Sequence, residues 1–141
     1  MSPRGKPLVP RIPKPREADV ERAVIAVYAS AGYVVYRLSQ GFRAEPGGTR
    51  QTPGLPDLIC LDPRGGPPIA HESKTPHGYR DHQTLAAAPK PPTGGRVKDW
   101  TRAQAQKRWR DLWTAAGLPY AIGGADAARV LVAQLEQARA A

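Results

Sequence analysis

The sequence predicts one α/β domain in which a mixed central β-sheet is flanked by helices. Helix-like and strand-like segments follow one another in the order α-β-β-β-α-β-α. The chain has 141 residues, which is the length of a single domain. It contains 14 glycines and 16 prolines, a share too high for an all-helical bundle.

The chain begins with a basic, proline-rich segment, residues 1–16, which is followed by a helix over residues 17–31. The first segment has five cations, five prolines and no acid, which indicates a flexible arm that could lie along phosphates. A disordered terminus without a specific role explains the same composition equally well. The helix is predicted from Val20 and Val24 at helical spacing, and Gly32 is a typical helix end.

Three short strands are predicted next. Residues 33–38 are rich in β-branched and aromatic residues, and residues 39–54 form a loop with four glycines. Residues 57–61 form an apolar run of strand length, and residues 69–74 are expected to be its partner strand. They are separated by a dense group of turn residues at 62–68, which predicts a hairpin.

The domain, residues 17–141, is expected to contain an irregular insertion at 75–98. This segment is rich in proline and glycine and sustains no period, and such long loops are usually functional or disordered. A helix over 99–116 and a strand over 118–122 follow. Asp126 is then expected to cap the last helix.

Charge and composition restrict the classes of function. Lys and Arg number 21 against 12 Asp and Glu, so the formal net charge of +9 favours a polyanionic partner such as nucleic acid. No apolar run is long enough to span a membrane, and the basic N-terminus lacks the apolar segment of a signal peptide. A single cysteine, Cys60, fits a reducing compartment, and we expect a cytoplasmic location.

The candidate chemistry lies in two acids and one lysine on the hairpin. Glu72 and Lys74 are two residues apart, so they project from one face of their strand, and the adjacent strand could bring Asp57 close to Glu72. Two carboxylates suit Mg²⁺, which prefers oxygen ligands and can activate water for phosphodiester hydrolysis. Lys74 could orient that water or stabilise the transition state. The alternative is a surface salt bridge between Glu72 and Lys74.

These residues resemble a known nuclease signature. Gly-Leu-Pro-Asp-Leu-Ile at 54–59, followed by Glu-Ser-Lys at 72–74, is similar to the motif of the PD-(D/E)xK nuclease superfamily. More narrowly, it resembles the VRR-NUC domain and archaeal-type Holliday-junction resolvases. The order of Glu21 in a helix, a glycine, a strand and Arg37 resembles the opening of these nucleases. The similarity extends over about residues 17–136.

The resemblance implies a restriction-endonuclease-like core and a Mg²⁺-dependent DNA endonuclease in which Mn²⁺ can replace Mg²⁺. Asp57 and Glu72 match the metal-binding acids, Lys74 the catalytic lysine, and Glu21 an acid that completes or supports the metal site. Gln106 matches a polar residue near the active site, although the insertion leaves Gln104 as a competing match. The enzyme could select branched DNA such as junctions or flaps, or could nick duplex DNA.

Eight further residues are expected to contact DNA: Arg37, Ser39, Arg43, Arg50, Arg80, Lys98, Arg102 and Lys107. A two-fold junction as substrate would call for a homodimer. A small nuclease of this kind is typical of phages and mobile elements, and its location would then be the host cytoplasm. The alternative function is a catalytically silent nucleic-acid-binding protein on the same fold, and a third interpretation is a basic structural protein with a chance motif.

Four residues receive structural interpretations. His71 neighbours Glu72 but points to the opposite face of its strand, so we expect a packed histidine rather than a metal ligand. Trp109 and Trp113 lie at helical spacing and are expected in the core. Trp100 is expected to precede its helix; it could stack on a nucleobase, but we favour packing against the helix start.

Overall fold

The computed structural model describes residues 16–38 and 54–141. The elements in chain order are α1 (Glu17–Ser30), β1 (Val34–Arg37), β2 (Leu58–Leu61), β3 (Ile69–Ser73), α2 (Pro76–Ala87), α3 (Val97–Ala115), β4 (Tyr120–Gly123) and α4 (Ala125–Ala140). The predicted α/β class with a mixed sheet is confirmed. None of the described helices is long and apolar enough to cross a membrane.

The four strands form one sheet in the order β1-β2-β3-β4. The first three strands are antiparallel neighbours, and β4 pairs with β3 in the parallel direction. In the β2–β3 register, Leu58 lies opposite His71, which places Asp57 opposite Glu72 at the next position. The predicted hairpin is therefore present, and its register brings the two acids to the same end of the sheet.

The two faces of the sheet are covered by different helices. Val24 and Tyr28 of α1 and Ala128 of α4 pack with Leu58 and Ile69 into the buried core. Helices α2 and α3 pack on each other, and α3 contacts the opposite face of β3. The core thus fixes β2 and β3 from one side and leaves the other side to the candidate site.

His71 is packed in the core, as predicted. Its Nε2 donates to the Gly123 carbonyl oxygen at 3.0 Å, so its Nδ1 accepts from the Tyr28 hydroxyl at 2.7 Å. Burial lowers the pKa of His71 to about 4, and the ring is neutral at pH 7. His71 therefore joins α1, β3 and β4, and it does not face the acids.

The expectation of an irregular insertion at 75–98 is wrong, because residues Pro76–Ala87 form helix α2. Its only proline stands in the first turn, where no amide hydrogen bond is lost, and the Thr75 hydroxyl accepts from the Gly78 amide at 3.0 Å. Ala86 and His82 are four residues apart and face inward. The chain consequently has four described helices, one more than predicted.

Three smaller expectations also need correction. Trp100 lies inside α3 and donates from its indole nitrogen to the Ala88 carbonyl at 3.0 Å, because α3 begins at Val97. Trp109 and Trp113 are half-buried rather than in the core, and their rings stack at 4.9 Å. The cap position of α4 is occupied by Gly124, so Asp126 lies within the first turn.

Candidate active site

The acids and the lysine of the sequence motif meet at one end of β2 and β3. The Lys74 ammonium nitrogen lies 3.6 Å from Glu72 Oε1. Asp57 Oδ2 accepts the backbone N–H of Ser73 at 2.9 Å, which fixes this carboxylate beside β3. The Glu72 side chain is only 3% exposed and that of Lys74 17%. Glu72 and Lys74 therefore do not form a surface salt bridge, which was the alternative interpretation of this pair.

The pKa values of both carboxylates are raised in the folded protein. Burial, together with the negative charge of Asp57, raises the pKa of Glu72 to about 8. Burial also raises the pKa of Asp57, although the Ser73 amide and Lys74 act in the opposite direction. Two buried acids with one nearby lysine have an excess of negative charge when both are ionised. Such a site attracts a proton or a further cation.

Gln106 completes the hydrogen bonding of Glu72. Its side-chain amide donates to Glu72 Oε1 at 2.9 Å from helix α3. Gln104 points elsewhere, since its amide donates to the carbonyl oxygens at the C-terminal end of α2, including that of Ala86 at 2.8 Å. Of the two glutamines that the sequence left open, the structure places Gln106 at the acids.

Gly54 allows the segment that precedes β2 to approach the backbone of α3 closely. A Cβ atom at this position would lie 2.4 Å from the Ala105 carbonyl oxygen, and the backbone φ of Gly54 is +88°. Both facts require glycine here. The close contact holds the segment that leads into Asp57 against the helix that carries Gln106.

We expect Gly54→Ala to lower the melting temperature by several degrees and to impair any activity of the site. Gly65 provides a matched control, because its φ is +92° and a Cβ there would meet no atom within 4 Å. Gly65→Ala should cost only the backbone strain of about 1–2 kcal/mol, so the excess loss in Gly54→Ala measures the collision with α3. Thermal unfolding of both variants tests this, and equal losses would contradict the close contact.

Glu21 is buried on α1, but its nearest partner is a cation. The Arg37 guanidinium donates from Nε to Glu21 Oε1 at 3.2 Å. Burial raises the pKa of Asp57 most, and the charge of Glu21 adds only a smaller contribution. Within residues 16–38 and 54–141, no three His, Cys, Asp or Glu side chains are close enough together to hold a metal ion. The structure thus brings Asp57 and Glu72 together and pairs Glu21 with Arg37.

No protein-family model, curated protein or solved structure matches this chain. The likeness to nucleases stays a prediction from the sequence motif.

The residues expected to contact DNA are spread over several places. Arg102 lies next to Lys74 and Gln106 on the wall of a cleft between α2 and α3. Lys107 lies on another face of α3, where its ammonium bonds Asp111 at 2.8 Å. Arg80 and Lys98 are exposed on α2 and α3. Ser39, Arg43 and Arg50 lie outside the described residues.

Sequence reasoning missed three residues around the site. Burial and the charges of Lys74 and Arg110 lower the pKa of His82 on α2. Burial and the charge of Glu72 raise the pKa of Tyr120 on β4, and the charge of Arg110 acts in the opposite direction. Arg110 is one helical turn beyond Gln106, so the spacing of four residues is the signal that could have found it. His82 carried no such signal, because its helix was not predicted.

Proposed function

We propose that the chain is a Mg²⁺-dependent endonuclease that hydrolyses phosphodiester bonds in DNA, on a restriction-endonuclease-like core. One observation carries this proposal. Asp57 and Glu72 oppose each other at the end of two paired strands, with Lys74 and Gln106 both in contact with Glu72. The mixed sheet with α1 ahead of β1 agrees with that fold.

The donor set fits a hard divalent cation. Asp57 and Glu72 offer carboxylate oxygens, the ligands that Mg²⁺ prefers, and it commonly binds through one or two carboxylates plus phosphate and water. The raised pKa of Glu72 supports this assignment, since the excess negative charge is relieved when a cation binds. Asp57 and Glu72 would hold the ion, and Glu21, paired with Arg37, would support the site from α1.

The remaining residues have separate roles around the phosphate. Bound Mg²⁺ would lower the pKa of water and stabilise charge on the phosphoryl oxygens. Lys74 holds a positive charge beside Glu72, where it can orient the attacking water or stabilise the transition state. Gln106 and the Asp57 backbone amide both hydrogen-bond the Glu72 carboxylate and so fix its orientation. Arg102 and Arg110 add positive charge near the site for the DNA backbone.

The test is a cleavage panel with duplex, nicked, flapped and four-way-junction DNA. We expect cleavage with Mg²⁺ and Mn²⁺, none in EDTA, and binding without cleavage in Ca²⁺. Gel analysis of end-labelled strands reads out the cut positions. Full activity in EDTA would contradict the metal mechanism, whereas DNA binding with no cleavage in any metal would favour the catalytically silent alternative.

A further inference from the structure

A cleft of about 140 Å³ opens between α2 and α3 directly beside the candidate active site. Lys74 and Gln106 form part of its wall, so the cleft is bordered by the two side chains that contact Glu72. Leu85 and Ala103 contribute apolar surface. Sites for drug-sized ligands start at about 300 Å³. This cleft is therefore suited to a single ring system rather than to a base pair.

His82 is a buried polar group of this cleft: it is 6% exposed, and its ring forms no hydrogen bond with the other described residues. Burial, with the charges of Lys74 and Arg110, lowers the pKa of His82 to about 4. At pH 7 the ring is neutral and offers one N–H donor and one acceptor nitrogen. It can also stack on a planar group.

The charges of the wall favour a neutral occupant over a phosphate. Lys74 and Arg102 contribute two positive charges, and Asp81 and Asp99 contribute two negative ones, so the formal charge is zero. A wall without net charge offers a phosphate no net attraction, whereas the edge of a nucleobase has both donors and acceptors to match. Unpaired bases are commonly bound by stacking and by hydrogen bonds to their exposed edges.

We propose that this cleft binds one unpaired nucleobase of the strand being cut, next to the phosphate that is hydrolysed. The inference rests on the proposed function and extends it to the substrate: the enzyme recognises DNA in which a nucleotide beside the cut is not base-paired. Helix α2 supplies His82 and Leu85, and α3 supplies Ala103 and Gln106, so the pocket exists only because these two helices pack on each other.

The experiment is an abasic scan. Each nucleotide near the cut site is replaced in turn by an abasic analogue that keeps the phosphate, and kcat/KM is measured for each substrate. We expect a loss of about tenfold or more at one position beside the cut, in line with base-stacking contributions, and a similar loss when that base is paired. A flat scan would overturn the proposal.

His82→Ala connects that position to the cleft. In this variant the base and abasic substrates should be cleaved at rates within about twofold of each other. Thr84→Ala is the control on the same helix, because Thr84 is exposed and, among the residues that the structure describes, its hydroxyl donates a hydrogen bond only to the Arg80 carbonyl. Discrimination that persists in His82→Ala would overturn the assignment to this cleft. If that variant does not fold, as judged by circular dichroism, the scan with the unaltered protein decides alone.

A failure of the proposed function gives a different result. If the protein cleaves no DNA with any metal, the scan is repeated as equilibrium binding, by fluorescence anisotropy in Ca²⁺. Weaker binding of one abasic oligonucleotide would then support the cleft although the nuclease proposal had failed. Equal affinities across the scan would overturn the proposal that this cleft binds a nucleobase, independently of the nuclease proposal.

Discussion

Glu72→Gln is expected to reduce cleavage by about a thousandfold or more and at the same time to raise the melting temperature of the metal-free protein. The first effect follows because the amide cannot replace a carboxylate as a Mg²⁺ ligand, and metal catalysis contributes several kcal/mol. The second follows because the protein buries the Glu72 carboxylate beside Asp57, and a neutral side chain of the same shape removes the repulsion.

The gain in stability should depend on pH in a defined direction. Burial and Asp57 raise the pKa of Glu72 from 4.5 to about 8 in the folded protein. Between these values the folded state binds more protons than the unfolded state, so the free energy of unfolding falls as pH rises. The glutamine of the variant cannot ionise, so the variant does not undergo this fall in the free energy of unfolding. The difference in melting temperature should therefore be small near pH 4.5 and largest above pH 8.

Thermal unfolding in EDTA from pH 5 to pH 9 measures this difference. Glu136→Gln is the control, because Glu136 is a partly exposed acid of α4 that pairs with Arg64. It should change neither cleavage nor the pH dependence. A Glu72→Gln protein less stable than the unaltered one at every pH would show that Lys74 and Gln106 more than offset the burial of the charge.

Lys74→Met should lower kcat by about a hundredfold to ten-thousandfold and leave most of the DNA affinity. The ammonium lies 3.6 Å from Glu72 in the candidate site, whereas it is only one of 21 Lys and Arg residues that could contribute to DNA affinity. Losing one phosphate contact reduces the slope of log affinity against log salt by about 0.9 at most. Single-turnover cleavage and anisotropy titrations in Ca²⁺ separate the two effects.

The control for Lys74→Met is Arg22→Met, which removes one exposed cation of α1 whose partner is Asp19. It should leave kcat unchanged. If Lys74→Met lost affinity but kept kcat, Lys74 would be a phosphate contact without a part in the chemistry.

The position of the acids and the lysine could be predicted from the sequence because it depends on local rules. Alternation along β3 puts Glu72 and Lys74 on one face and His71 on the other, and the turn between the strands sets the hairpin. Asp57 lies opposite Glu72 only if β2 and β3 pair in one particular register, and the structure has that register. The packed role of His71 followed from the same alternation.

The rest of the site depends on tertiary packing, which leaves a weaker trace in the sequence. Helix α2 was missed because prolines cluster around it, although they stand at its first turn and beyond its end rather than in its interior. Because α2 was not predicted, the position of His82 and the cleft between α2 and α3 could not be predicted either. The choice between Gln104 and Gln106 required knowing which side of α3 faces β3, and both residues have suitable chemistry.

The way α2 is attached bears on how the molecule could diversify. Asp57 and Glu72 belong to strands joined by backbone hydrogen bonds, whereas α2 is fastened at its C-terminal end by the side chains of Gln104 and Trp100 on α3. Substitutions along α2 can therefore accumulate without altering the strands that present the acids. Under the proposed function, selection acting on α2 would change which nucleotide the cleft binds while Asp57 and Glu72 stay unchanged, so new substrate preferences would be accessible by small mutational steps.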